Sequence, residues 1–292
     1  MKFGIREIFF GRKMKKNNPN NKILTGIPRS GTTLACRLLS QMPDVIALNE
    51  PLEPSQFPNR KDSLTNIRHN FDTFRKRLHK NGNAIARNKA GQLIDNAYDS
   101  SGEKRKMILQ RSEVHFDKKL SPDFDLIFKH NAGFSLLLPE ILDIFPCYAM
   151  IRNPIAVLGS WRSVNVPVSR GRVAKSKKLL PTFFSGIEDK ENLLEKQLFI
   201  LSWYFEQYTA LPNTHIVRYE EMIRSNGQVL QNLTSGNQVL NEELKSKNHN
   251  PLYDDNLILQ LGERLLKSEG AYWEFYDKSE VEKLLETYLN EQ

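Results

Sequence analysis

The chain has 292 residues, of which 39% are hydrophobic and 26% charged, with a formal charge of +8. That is apolar enough to pack a core, which excludes a disordered chain, and no apolar run approaches the roughly 20 residues of a membrane span. The positive balance calls for an anionic partner: nucleic acid, an acidic glycan, a membrane surface or a polyanionic cofactor.

In chain order, the first element is a basic tail over residues 1–20. Its start, MKFGIREIFFGRKMKK, scatters Phe3, Ile5, Phe9 and Phe10 among cations, and no small-residue cleavage site follows. It reads as a solvated or surface-docked tail, with a weak amphipathic membrane contact as the alternative. A cytoplasmic location is expected. Cys36 and Cys147 fall in apolar segments and read as free core thiols. No His/Cys cluster has zinc-ligand spacing, and no metal is expected.

Beyond the tail, short apolar runs alternate with helical patterns. Strands are predicted at 22–27, 45–49, 125–130, 147–152 and 214–219, and helices at 32–42, about 61–80, 133–145, 154–164 and 188–210. This alternation predicts an α/β fold, a central parallel sheet with helices on both faces. Residues 21–292 read as one domain with a helical C-terminal cap and insertions near 54–121 and 166–187. The second insertion carries Arg170, Arg172, Lys175, Lys177 and Lys178, a run that reads first as a solvated face. In open α/β sheets ligands gather at the carboxyl ends of the strands, which points to residues 25–33, 49–53, 129–131, 152–160 and 219–220.

The stretch TGIPRSGTT, residues 25–33, follows the first predicted strand and opens the first predicted helix. Gly26 and Gly31 have the glycine spacing of an ATP-gripping loop, and Thr33 matches its final hydroxyl, but Thr32 stands where that loop has lysine. The backbone logic survives the change: a glycine turn into a helix aims unpaired N–H groups at one spot, where the macrodipole favours an anion. Ser30, Thr32 and Thr33 add hydroxyl donors, and Arg29 adds a charge-assisted bond. An ordinary turn with Thr32 near the N-cap is the plain alternative. This stretch resembles the sulfotransferase family, whose donor is 3′-phosphoadenosine 5′-phosphosulfate and whose 5′-phosphosulfate loop reads like PRSGTTL. The resemblance implies a P-loop-like three-layer fold that works without a metal, so the missing lysine is expected.

A second anion site is predicted in CYAMIRNPIAVLGSWRS, residues 147–163. A buried strand ends in Arg152, Pro154 opens a helix as proline prefers, and Ser160 lies two turns along on a nearby face. Arg152 and Ser160 together offer a forked cation and a hydroxyl to one anion, with Arg162 nearby. The segment resembles the family's 3′-phosphate site, with Arg152-Asn153-Pro154 at its beginning. A third resemblance, HIVRYEEM at 215–222, implies that Tyr219 lies near the nucleotide. Trp203, Tyr204 and Phe205 read as core.

Glu50 is the expected general base. It ends a predicted strand before Pro51, at the sheet edge that carries Arg29, and its separation from Arg29 resembles that in tyrosylprotein and some bacterial sulfotransferases. Glu53 is the backup. His130 adjoins Lys129 in IFKHN, and the cytosolic branch of the family uses a histidine, but two residues after its lysine, where this chain has Asn131. Lys129 and Arg29 are expected to stabilise the leaving phosphate. The family's C-terminal Arg-Lys-Gly clamp is not visible; LLKSEGAYWEF, 265–275, is a candidate replacement. The resemblance implies an acceptor bearing a hydroxyl (or an amine), with a carbohydrate or an acidic molecule as alternatives, and no nucleic acid is expected. The rival readings are an ATP-dependent small-molecule kinase and a non-catalytic polyanion or nucleic-acid binder using the 170–178 cations.

Overall fold

The computed structural model describes residues 17–99, 105–236 and 240–290. The predicted amphipathic contact through Phe3, Ile5, Phe9 and Phe10 lies outside them. In chain order the elements are β1 (Asn21–Gly26), α1 (Thr32–Leu39), β2 (Val45–Asn49), α2 (Arg60–Asn81), β3 (Asn83–Asn88), β4 (Gln110–His115) and β5 (Asp125–Lys129). Then come α3 (Asn131–Leu136), α4 (Leu138–Leu142), β6 (Cys147–Ile151), α5 (Pro154–Arg162), α6 (Ser176–Leu179), α7 (Pro181–Glu188) and α8 (Leu193–Tyr208). β7 (Ile216–Arg218), α9 (Tyr219–Arg224), α10 (Asp255–Leu266) and α11 (Lys278–Leu289) complete the chain.

Five strands form one sheet in the order β2-β5-β1-β6-β7, and every pairing is parallel. The protein is therefore an α/β fold, as the alternation of elements predicts. A parallel sheet needs cover on both faces, and the strand residues divide between two apolar layers with period two. Ile23, Ile46 and Phe128 pack into one layer, where Phe71 of α2 stacks on Phe128 at 3.9 Å between ring centroids. Their neighbours Leu24, Ala47 and Ile127 face the other layer, with Ala35 and Leu38 of α1. Cys36 and Cys147 are free and buried in these layers. No helix among the described residues is long and apolar enough to cross a membrane.

Three local features depart from the predicted elements. The helix expected over 133–145 is split at Leu137, where Pro139 begins a new turn, into α3 and α4. The one expected over 188–210 starts later, because the Asn192 side chain accepts from Glu195 N–H at 3.1 Å and caps α8 there, while α7 precedes it. Within 82–121, β3 and β4 pair antiparallel, with Asn83 opposite His115 and Arg87 opposite Arg111. The signal was the alternation in NAIARN, whose even positions are buried.

Candidate active site

The carboxyl ends of β1, β2, β5 and β6 open onto one cavity of ≈ 1130 Å³. Arg29, Gly31, Thr32, Thr33, Glu50, Lys129, His130, Arg152 and Tyr219 all line it. The site residues named from sequence are thus brought to one place, with the exceptions described below.

The loop between β1 and α1 is shaped by close backbone approaches. A Cβ on Gly26 would sit 2.7 Å from Met150 O, and one on Gly31, whose φ is 91°, would sit 2.8 Å from Tyr219 Cδ2. Only glycine fits either position. Trp161 Nε1 donates to Pro28 O at 2.8 Å and pins the loop from α5. No side chain among the described residues caps α1, which leaves its first N–H groups aimed at the cavity. Ser30 turns away: its hydroxyl donates to Met150 O at 3.0 Å and its N–H to Ile27 O, so it offers nothing to an anion.

Arg29 and Ser160, read from sequence as parts of two separate anion sites, touch. Arg29 Nε donates to Ser160 Oγ at 3.0 Å, while its two terminal nitrogens donate to Asn96 Oδ1 at 3.3 Å. The guanidinium also lies 4.8 Å from the ring centre of Tyr98. Burial and the neighbouring Arg105 bring its pKa down to about 10, which leaves it charged at neutral pH. Arg152 stands against the same loop. It donates through one terminal nitrogen to Arg29 O at 3.0 Å, through Nε to Asn248 Oδ1 at 2.8 Å and through the other terminal nitrogen to Lys247 O. Its guanidinium covers the Tyr219 ring at 4.5 Å, and Tyr219 Oη accepts from Lys247 N–H at 2.9 Å. Arg162 does not line the cavity; its Nε is buried with no partner among the described residues.

Across the cavity stands a second group. Lys129, almost wholly buried, donates to Asn49 Oδ1 at 3.2 Å and Glu50 Oε1 at 3.3 Å. Arg87, from β3, reaches Glu50 Oε2 at 2.7 Å. Burial opposes the charge on Glu50, but Lys129, His130 and Arg87 outweigh it and hold the carboxyl at about 2. Glu50 has φ 47° and Arg29 φ 77°, conformations that side chains with a Cβ rarely adopt. Such strain persists where surrounding structure enforces it and gathers at functional sites. Glu53 is drawn off by Arg111 at 2.7 Å and does not line the cavity.

His130 caps α3: Gly133 N–H donates to its Nδ1 at 3.4 Å, and its ring lies 4.9 Å from that of Phe57. Burial lowers its pKa to about 4, so it is neutral at pH 7 with one nitrogen already accepting. That arrangement suits a structural cap better than a base.

Some of the lining was not foreseen. Asn96, Tyr98 and Arg105 come from the first insertion, and a strap over residues 242–253 crosses the cavity with Lys245, Lys247 and His249. Glu220 anchors the strap by accepting from Asn248 Nδ2 at 2.8 Å, from Tyr276 Oη at 2.8 Å and from Asn153 N–H at 3.0 Å. The candidate replacement at 265–275 lies elsewhere, with its aromatic rings packed on Phe205 of α8. The visible signal for the strap was KSKNHN at 245–250, cations and amides with no apolar anchor. Tyr204 is both core and lining: it is fully buried, yet it borders the cavity.

Residues 23–236 match a family model described as the sulfotransferase family. Among solved structures the chain is similar to sulfotransferase STF1 from Mycobacterium tuberculosis H37Rv at 11% identity, covering 86% of this chain and 76% of that one with a TM-score of 0.35. No curated protein matches it by sequence.

Proposed function

The chain belongs to the sulfotransferase family, and from that premise we propose that it transfers a sulfuryl group from 3′-phosphoadenosine 5′-phosphosulfate to an acceptor hydroxyl or amine. The observation that carries this reading is the convergence in one cavity of an uncapped helix start with Arg29, held from behind by the buried Ser160, and Arg152, together with the ion pair of Glu50 and Lys129. The first group suits the phosphates of a nucleotide; the second suits proton removal and charge stabilisation. Residues 21–292 are proposed to serve this site as one unit.

In the proposed reaction Arg152, Ser160 and Tyr219 hold the nucleotide, and Gly31, Thr32 and Thr33 hold the phosphosulfate. Glu50 takes the proton of the acceptor hydroxyl. A bond forms between the acceptor oxygen and sulfur as the bond from sulfur to the phosphate oxygen breaks, and the electron pair stays on that oxygen. Lys129 and Arg29 stabilise the charge arriving there. A carboxylate held at about 2 is a feeble base. Lys129 resolves this: as it turns from Glu50 toward the departing phosphate, it releases the carboxylate and raises its basicity at the moment of need. The reaction is proposed to proceed without a metal, with these cations taking the charge that a kinase would leave to magnesium.

The test is a thermal-shift titration with 3′,5′-adenosine bisphosphate against ATP with magnesium. A ligand present at 100 times its Kd adds about 2.7 kcal/mol of stability. Stabilisation by the bisphosphate, undiminished by a chelator, is the expected result. Stabilisation by ATP–magnesium alone would make the protein a kinase, and by neither, a polyanion binder.

A further inference from the structure

Among the described residues five arginines line the cavity, and they fall into two groups. Arg87 and Arg111 are paired with the carboxylates of Glu50 and Glu53. Arg29, Arg105 and Arg152 form no ion pair with a described residue, and their hydrogen bonds go to neutral oxygens. Arg105 and Arg152 are nonetheless only 5% exposed. An arginine so buried is almost always paired, because a charge stripped of water needs an opposite charge in its place. Arg105 is the least satisfied of the three. Its Nε donates to Asp99 O at 2.9 Å, while its two terminal nitrogens have no partner among the described residues and are not sealed from solvent.

The first insertion holds Arg105 in place. Its residues 96–99 and 105–108 pair with each other: Tyr98 bridges to Met107, Ile108 N–H donates to Ala97 O at 2.9 Å, and Asp99 N–H donates to Lys106 O at 3.1 Å. The same arm grips Arg29 through Asn96 and Tyr98. Arg105 itself bridges to Val164, just past the end of α5. Arg152 precedes α5, so the two buried arginines flank one helix. Ser160, expected from sequence to share the anion of Arg152, is fully buried, does not line the cavity, and reaches an anion only through Arg29. After burial, Arg105 does most to lower the pKa of Arg29, and Arg152 adds to it, so the three guanidiniums repel one another. An anion among them removes that repulsion and supplies the missing acceptor oxygens.

Resting on the nucleotide reading above, we propose that Arg105 is a nucleotide-binding residue that closes, together with Arg152, on the 3′-phosphate of the sulfate donor. The 5′-phosphosulfate is left to the turn into α1, and the first insertion thereby supplies the cation that the sequence lacks at its C-terminal end.

Isothermal titration calorimetry tests this on the full chain and on Arg105→Gln and Arg105→Lys, with 3′,5′-adenosine bisphosphate and with adenosine 5′-phosphate. The expected Kd for the bisphosphate rises about 10- to 100-fold in Arg105→Gln, the worth of one charge-assisted contact, and less in Arg105→Lys, which keeps the charge without the fork. Adenosine 5′-phosphate has no 3′ group, and its Kd stays level across all three proteins. The unliganded Arg105→Gln protein melts no lower than the parent, since a repelling charge is gone. An unchanged bisphosphate Kd in Arg105→Gln overturns the proposal. So do equal losses for both nucleotides with a lower melting temperature, which mark Arg105 as a brace for the insertion. Should Arg105→Gln misfold, Arg105→Lys decides by the same ratio of the two affinities. If the parent binds neither nucleotide, the nucleotide reading itself falls and takes this assignment with it.

Discussion

One half of the cavity rests on the ends of β1 and β6 and the starts of α1 and α5; the other is walled by the β3–β4 hairpin and the 166–187 segment. In the first half, backbone rules set the geometry. Gly26 and Gly31 are required by contacts of 2.7 and 2.8 Å, and Arg152 lies at the end of a buried strand before a proline-opened helix. In the second half, side chains distant in sequence set it: Arg87 reaches Glu50, and Arg111 reaches Glu53. The difference teaches that the proposed anion-binding half is set by local chain geometry, whereas the proposed acceptor half is set by how two insertions pack.

The sharpest way to separate the halves is Glu50→Gln. Turnover should fall by roughly 10²–10⁴, the usual worth of general-base help, while affinity for 3′,5′-adenosine bisphosphate stays near that of the parent. Full activity in this variant, measured by single-turnover kinetics, would remove the carboxylate from the chemistry.

Gly31→Ala probes the backbone half. The added methyl meets Tyr219 in a conformation that disfavours it, so a loss of about 1–3 kcal/mol and a melting temperature lower by several degrees are expected. An unchanged melting curve with intact bisphosphate binding would show that the loop adapts and that its geometry is not backbone-imposed.

The smallest effect concerns His130, whose folded pKa of about 4 lies below its ordinary value of 6.5. The unfolded chain then binds the proton more readily, so this group's stabilising contribution is complete above pH 6.5 and fades as pH falls toward 4. Asparagine keeps the N-cap, so His130→Asn should flatten the pH dependence of denaturant midpoints across that window. A steeper dependence in the variant would contradict the burial that sets the shift. Glu50, held at about 2 against an ordinary value of 4.5, shows the same sign over a lower window.

The same contrast explains what was legible in the sequence. Four of the five sheet strands hold continuous buried apolar runs, and the phosphate-type loop carries its own spacing, so both could be read directly; the strand expected over 214–219 is cut to Ile216–Arg218, because Tyr219 already opens α9. Ser30 was misjudged because spacing names a hydroxyl without saying that Met150 O already receives it. The hairpin was missed because β4 is exposed at all but one position, which erases the alternation that marks a strand. Asn96 and Tyr98 carry no local signal, and the 242–253 strap carries only the cations and amides of 245–250; their roles exist only once Arg29 and Arg152 are near.

The strap's hold on Arg152 has a kinetic consequence. With Lys247 O, Asn248 Oδ1 and Arg29 O already around the guanidinium, an incoming anion does not fill an empty seat but trades places with the chain's own oxygens. On the proposed reading, exchange of this kind lowers net affinity by the strength of the bonds surrendered, and the same oxygens would help a spent nucleotide to leave.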